Sequence, residues 1–363
     1  VERYRPQRIL IEKSIRDFPL TQTVIKRLKG IPVKYINQVK PLAVERVRDL
    51  WLDDQKTLLL CRNKGRFFEL CPGTKNYLCC LYKIINFATN CHLNCTYCIL
   101  QAYLNNPFMV LYTNTDEMFK ELDNVLNQHP KTIYRIGTGE YTDSLILDHL
   151  TSFTQLVVPY FARKSNAFLE LKTKTDNIEN LEGLEHREKT IVSWSLNTEP
   201  VIGSEEGNAC SLDDRIRAAH QCQKWGYKLG FHFDPLIYYP GWEDDYKKVV
   251  DKLFRTIDPA HLCWISLGCF RFIPKLKSVI KKRYPESRIL YQEFIRGLDG
   301  KMRYFKPIRI EMYTRMAEWI KSYDSKTFIY LCMESKEVWE KSIGFAPSSN
   351  KDLKKRLDNQ CRI

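Results

Sequence analysis

The stretch that decides the fold reads Tyr82-Lys-Ile-Ile-Asn-Phe-Ala-Thr-Asn-Cys91-His-Leu-Asn-Cys95-Thr-Tyr-Cys98. Its first half, Tyr82–Ala88, is rich in β-formers and predicts a buried strand. Its second half is a C-x3-C-x2-C pattern, three cysteines within eight residues. Thiolates this close wrap a single soft metal centre. A [4Fe–4S] cluster normally takes four cysteine ligands, so three leave one iron open to an outside ligand. A zinc knuckle completed by His92 or another thiol is the alternative. Zinc sites favour paired CxxC clusters set further apart, and no second pair with suitable spacing is present. A loop directly after a strand puts the centre at the C-terminal mouth of a βα fold, where such folds build sites.

Working outward, apolar β-rich runs alternate with amphipathic stretches. Further strands are expected at Thr132–Ile136, Phe168–Lys172, Thr190–Ser195, Leu229–Phe233 and Leu262–Leu267. Helices are expected at Glu117–Asn127, Leu147–Phe161, Asn177–Leu181, Leu212–Trp225 and Trp242–Arg255. Six βα units in a row mean a parallel sheet with right-handed crossovers. Six is two short of a full barrel. A doubly wound sheet fits the same pattern, but no GxGxxG follows the first strand. Beyond residue 274 the pattern becomes α+β. Helices are expected at Lys275–Arg283, Ile308–Ser322 and from Lys336, with a strand at Phe328–Leu331. Ile289–Ile295 and Met302–Pro307 flank Gly297-Leu298-Asp299-Gly300, a hairpin signal. Residues 1–80 form a mixed, basic region expected to pack on the barrel, 81–274 the barrel, and 275–363 a C-terminal region with a basic hairpin.

The chain has 363 residues, 44% hydrophobic and 28% charged, so it is neither disordered nor fibrous. Its thirteen cysteines are an odd number, which excludes complete pairing within one chain. The opening VERYRPQRIL lacks an apolar core and a cleavage site, and no run of about 18 apolar residues occurs. A cytoplasmic protein with reduced thiols is therefore expected, with no membrane partner. The net charge is +14. Residues 1–50 carry +7, 271–310 carry +9 and 351–363 carry +3, so the remainder is acidic at −5. Such asymmetry favours an anionic partner, nucleic acid first.

The triplet Cys91, Cys95, Cys98 resembles the cluster motif of the radical S-adenosylmethionine (SAM) superfamily. Gly137-Thr138-Gly139-Glu140 resembles its GGE-type motif. The likeness extends to the spore photoproduct lyase family over most of the chain. It is carried by Phe18-Pro19-Leu20, Cys98-Ile99-Leu100-Gln101, Thr142–Leu150, Leu171-Lys172-Thr173-Lys174 and Ser193-Trp194-Ser195-Leu196-Asn197. Gly230–Trp242, Asp299–Tyr313 and Leu331-Cys332-Met333-Glu334-Ser335 extend it. The resemblance implies an α/β fold, a partial (β/α)6 TIM barrel of radical SAM type. It implies a [4Fe–4S] cluster on the three cysteines that cleaves SAM to methionine and a 5′-deoxyadenosyl radical. That radical reverses a thymine lesion in DNA. SAM would meet Gly137, Thr138, Gly139, Glu140, Thr142, Lys174 and Ser195, where a cation and a hydroxyl suit its carboxylate and ribose. The electron would come from a flavodoxin or ferredoxin. A monomer is the working expectation.

Two positions depart from the family. Its hydrogen-donor cysteine is expected just before the Thr142-Asp143 stretch, where this chain has Glu140 and Tyr141. Its tyrosine pair flanking the third cluster cysteine is reduced to Tyr97, with Ile99 on the other side. Tyr97, Glu140 and Tyr141 are the candidate catalytic residues, and Tyr141, Cys269 or Cys332 the candidate substitutes for the donor. The +9 window interleaves cations with aromatics, a pattern that neutralises phosphates and stacks unstacked bases. Arg271, Lys301, Arg303 and Tyr304 are its candidate DNA contacts, with the hairpin tip as a wedge beside a flipped lesion. His232 and Asp234 are placed either in the substrate pocket or as a bonded core pair. The alternatives are an enzyme of the same fold acting on RNA, a peptide or a small molecule, and a zinc-stabilised nucleic-acid-binding protein.

Overall fold

The computed structural model describes residues 3–38, 55–104 and 106–362. In chain order its strands are β1 (Arg8–Glu12), β2 (Val33–Ile36), β3 (Thr57–Cys61), β4 (Phe68–Leu70), β5 (Lys83–Ile85), β6 (Ala88–Thr89), β7 (Met109–Tyr112) and β8 (Tyr134–Gly137). They continue with β9 (Ala167–Thr173), β10 (Thr190–Ser195), β11 (Lys228–Leu236), β12 (Leu262–Cys269), β13 (Arg271–Phe272), β14 (Ile295–Arg296), β15 (Met302–Arg303) and β16 (Ile329–Leu331).

The main sheet runs β4-β5-β8-β9-β10-β11-β12-β16. It is parallel from β5 to β16, with β4 added antiparallel at one edge. The sheet curls into a half-barrel whose edge strands β4 and β16 do not pair. This is the expected six-strand barrel with one more parallel strand, β16, from the C-terminal region. A doubly wound sheet is excluded, because the strand order never reverses from β5 to β16. β10 is buried along its whole length, because a parallel strand is covered on both faces.

The predicted strand Tyr82–Ala88 is two strands. β5 belongs to the half-barrel and β6 to a second sheet ordered β2-β1-β3-β7-β6. The chain crosses between them at Asn86 and Phe87. Phe87 is buried and stacks on Phe153, with ring centroids 4.3 Å apart, which fixes the crossing. The cysteine loop therefore starts where the chain has just left the barrel. The second sheet draws strands from both sides of residue 80, and the main sheet from both sides of residue 274. The segment limits read from composition are thus not sheet limits.

The expected helix Leu147–Phe161 is also broken. Its two parts are Asp148–Thr151 and Phe153–Ala162, with Ser152 left-handed between them (φ 47°). The Asp148 carboxylate accepts from the backbone N–H (2.9 Å) and hydroxyl (2.7 Å) of Thr154, capping the second part. A helix not anticipated, Asn350–Gln360, docks on the barrel. Its Asp358 pairs with buried Arg135 of β8 at 3.0 Å, and its Lys354 donates to Ile133 O at 2.7 Å. No described helix is long and apolar enough to cross a membrane.

Candidate active site

The cysteine loop is held from both ends. Asn90 is left-handed (φ 77°) and buried. Its backbone N–H donates to Tyr141 O (2.7 Å) and its side chain donates to Pro107 O (2.8 Å). Farther along, Gln101 Nε2 donates to Cys95 O at 2.8 Å. Its Oε1 accepts from Arg283 at 2.9 Å, tying the loop to the basic helix Pro274–Arg283.

Cys91, Cys95 and Cys98 all face one cavity of about 310 Å³ at the C-terminal mouth of the half-barrel. Burial pushes all three thiols above their ordinary value, Cys95 to about 12. Other groups pull the other way. Lys174 favours the thiolates of Cys95 and Cys98. The backbone N–H of Leu93 faces the Cys91 sulfur, and those of Leu100 and Gln101 face Cys98. Buried sulfurs supplied with amide donors and a nearby cation suit thiolate ligands of an iron–sulfur cluster. Among the described residues, no three His, Cys, Asp or Glu side chains converge as around a single ion. His92 does not join the thiols. Its ring packs 4.9 Å from that of Tyr4 and lines a different cavity.

The rest of that cavity wall comes from successive strand ends. Gly139, Glu140, Thr142 and Asp143 follow β8; Lys172, Thr173 and Lys174 come from β9; Ser195 ends β10. Asp234 and Pro235 come from β11, Arg271 from β13 and Lys301 from the hairpin. Asp143 organises the mouth by accepting from Lys174 N (2.7 Å), Thr173 Oγ1 (2.7 Å) and Leu145 N (3.0 Å). Glu140 faces Lys172 at 3.7 Å. Glu140 and Glu170 hold the half-buried Lys172 ammonium above its ordinary range, against the opposing effect of desolvation.

Gly137 and Thr138 do not face the cavity. A Cβ on Gly137 would lie 1.5 Å from Tyr82 Oη. Thr138 Oγ1 donates to Ser144 Oγ at 2.8 Å. Both shape the strand end. Gly139 faces the cavity and is crowded, since a Cβ would lie 3.0 Å from Lys172 O. Tyr141 also falls outside the lining. Its ring stacks with that of Tyr103, centroids 6.1 Å apart and 12° from parallel.

A carboxylate that sequence reading missed sits under the loop. Glu206 accepts from Tyr97 Oη and pairs with Arg215 at 2.6 Å and Lys174 at 3.4 Å. Both Glu206 and Arg215 side chains are fully buried. Burial alone would raise the Glu206 pKa, but Lys174 and Arg215 outweigh it and hold it down at about 2. Its neighbour Glu205 accepts from Thr96 Oγ1 and from Ser287 Oγ (2.8 Å). The only sequence signal was position, directly after a barrel strand and its short helix.

The candidate DNA contacts divide. Arg303 is buried and pairs with Asp299 at 2.7 Å, with its guanidinium 4.3 Å from the Tyr77 ring centre. Tyr304 is fully buried, stacks on Phe294 at 5.0 Å, and its hydroxyl accepts from Tyr238 N at 3.2 Å. Both turn inward and fix the hairpin, leaving neither side chain on the surface that the DNA-contact expectation required. Arg271 faces the cavity but is held bidentate by Asp234, at 3.0 and 2.9 Å. Asp234 thus pairs with Arg271, not with His232, whose Nε2 meets Glu170 at 2.7 Å. Lys301 faces the cavity with its Nζ 3.6 Å from Asp299. The exposed tip residue is Leu298, 72% accessible, with exposed Arg296 beside it. Lys275, Lys277, Lys281 and Lys282 lie exposed on the neighbouring helix.

A half-barrel that gathers three loop cysteines, a glycine-rich strand end and basic side chains at its C-terminal mouth belongs to the radical SAM class of α/β enzymes. Within that class, the family model for spore photoproduct lyase matches residues 4–329, and the chain belongs to that family. It is 28% identical over 296 residues to spore photoproduct lyase of Bacillus subtilis, covering 79% of this chain and 85% of that protein. The Geobacillus protein of the same name is 26% identical over 292 residues, covering 78% and 84%. A solved structure of a cysteine-to-alanine variant of spore photoproduct lyase with dinucleoside spore photoproduct has a TM-score of 0.81 at 25% identity. It covers 91% of this chain and 100% of that one. A double variant with bound AdoMet and the same dinucleoside shares the fold, with a TM-score of 0.79 at 24% identity over the same shares.

Proposed function

We propose that this chain is a radical SAM lyase that reverses a spore-photoproduct-type thymine lesion in duplex DNA. One observation carries the reading. A single cavity is lined by all three loop cysteines, Glu140, Lys174, Ser195 and the hairpin lysine Lys301. The family relationship and the dinucleoside-bound relative support the same substrate. Cys91, Cys95 and Cys98 would hold a [4Fe–4S] cluster, which would supply the electron for reductive cleavage of SAM.

The chain's own residues do the rest. Gly139, Glu140 and Thr142 receive the methionyl end of SAM, and Ser195 offers a hydroxyl to its ribose. Lys174 holds the cysteine loop through Glu206 while facing the cavity, where its charge meets the SAM carboxylate. Tyr97, bonded to Glu206, forms part of the wall behind the reacting groups. The packed walls keep water from a reactive radical. Exposed lysines on Pro274–Arg283 and Arg296 neutralise the phosphate backbone, and Leu298 fills the gap left by a displaced base. A flavodoxin or ferredoxin delivers the electron.

A second reading, the same chemistry on another substrate, is favoured by one departure: Glu140 and Tyr141 stand where the family is expected to carry its donor cysteine. Lesion-dependent turnover separates the two. Reconstituted protein with SAM and dithionite should form 5′-deoxyadenosine faster with lesion-bearing duplex than with undamaged duplex. Formation that ignores the lesion would favour the second reading.

A further inference from the structure

The cavity at the mouth has an annex. A second cavity of about 110 Å³ shares Glu140, Lys172, Asp234, Arg271 and Met333 with it. Its remaining lining includes four free thiols, Cys71, Cys79, Cys80 and Cys332. A repair that passes through a carbon radical must end with a hydrogen atom delivered to carbon. A thiol S–H bond is weak and passes its hydrogen to carbon radicals quickly, so it is a natural source. Tyr141 is turned to Tyr103 and lines neither cavity. Cys269 is buried against Met312 (Sγ to Sδ 3.8 Å) and lines neither.

We propose that Cys332 is the hydrogen-atom donor that closes the reaction, an inference that rests on the lyase reading above. Cys332 follows β16 at its C-terminal end, on the side of the mouth, and is fixed there by its N–H donating to Leu267 O at 2.8 Å. Its sulfur accepts from Arg271 Nη2 at 3.5 Å, and Arg271 lines both cavities. The next residue, Met333, is left-handed (φ 57°), lines both cavities and lies 3.5 Å from Lys301 Nζ. The other thiols are engaged elsewhere. Cys79 and Cys80 face each other, and Cys71 faces the backbone N–H of Gly73. Burial pushes the Cys332 thiol up to about 12, so its S–H bond is intact at neutral pH.

The lesion-derived carbon radical takes the hydrogen atom of Cys332. A C–H bond forms, the S–H bond breaks, and a thiyl radical remains. One electron from the flavodoxin- or ferredoxin-class reductant and one solvent proton restore the thiol. The hydrogen first removed from the lesion stays in 5′-deoxyadenosine. Because thiols exchange with solvent, the hydrogen returned to thymine originates from water.

The test compares reconstituted wild type with Cys332→Ser and Cys332→Ala in D2O, using dinucleoside spore photoproduct, SAM and dithionite. Wild type should release thymine product carrying one solvent deuterium. Both variants should keep forming 5′-deoxyadenosine, while repaired product per 5′-deoxyadenosine falls at least about tenfold. Serine matches cysteine in shape but not in bond strength, so a loss in Cys332→Ser with unchanged thermal unfolding reports chemistry, not folding. Equal repair yield and equal deuterium content in Cys332→Ser would overturn the assignment. Failure of wild type itself to form 5′-deoxyadenosine would overturn the lyase reading, and this one with it.

Discussion

Replacing Glu206 with glutamine should unseat the cysteine loop. The carboxylate receives the Tyr97 hydroxyl, pairs with Arg215 at 2.6 Å and faces Lys174 at 3.4 Å, with no solvent access. An amide keeps the shape but removes the charge that compensates two cations. Arg215 retains carbonyl partners at Cys210 and Ser195, both at 2.9 Å, so it stays bonded but uncompensated. Breaking one side of a buried pair costs about 3–5 kcal/mol. The depression of Glu206 from 4.5 to about 2 agrees, since it corresponds to roughly 3 kcal/mol of preference for the charged form. For a chain of 363 residues that is a fall in Tm of roughly 4–7 °C. The folded pKa lies below the unfolded one, so this stabilisation is complete above pH 4.5 and is lost as pH falls toward about 2. The gap between wild type and Glu206→Gln should therefore be widest at neutral pH and narrow in acid. Denaturant unfolding across that pH range measures it, and the visible absorbance of the reconstituted variant reports cluster retention. A variant within about 0.5 kcal/mol of wild type at pH 7 would refute the reasoning, because surface substitutions behave that way.

The hairpin separates positioning from binding. Arg303→Ala should destabilise the protein by about 3–5 kcal/mol by leaving Asp299 buried and short of a partner. Exposed Arg296→Ala should leave Tm unchanged and reduce the salt dependence of DNA binding by about one phosphate contact. Fluorescence anisotropy over a salt series reads the second and thermal unfolding the first; the reverse pattern would reverse the roles. Gly137→Ala should cost about 1–3 kcal/mol, because Tyr82 must move to admit the methyl group. Calorimetry showing no loss would mean the strand end has room to spare.

Much of the half-barrel was legible because central parallel strands are continuous apolar runs. β9, β10, β11 and β12 fall within a few residues of their expected positions. The cysteines were legible because spacing along a loop survives in sequence. The second sheet was not, since its strands come from Arg8 to Tyr112 and pair over long separations. The helix Asn350–Gln360 was hidden because its charges outnumber its buried leucines, Leu353 and Leu357. Charge and aromaticity also read the same whether they point in or out. Arg303 and Tyr304 looked like DNA contacts and are hairpin core, while Glu206, which no sequence motif singled out, is the counter-charge of the cysteine loop. Only burial distinguishes these cases.

The most direct test is repair itself. Anaerobically reconstituted protein, given SAM, dithionite and dinucleoside spore photoproduct, should yield the unlinked dithymidine by mass spectrometry, together with 5′-deoxyadenosine. Cys95→Ala should yield neither product. Turnover of SAM with the lesion recovered intact would contradict the repair assignment, and SAM cleavage by Cys95→Ala would contradict the cluster.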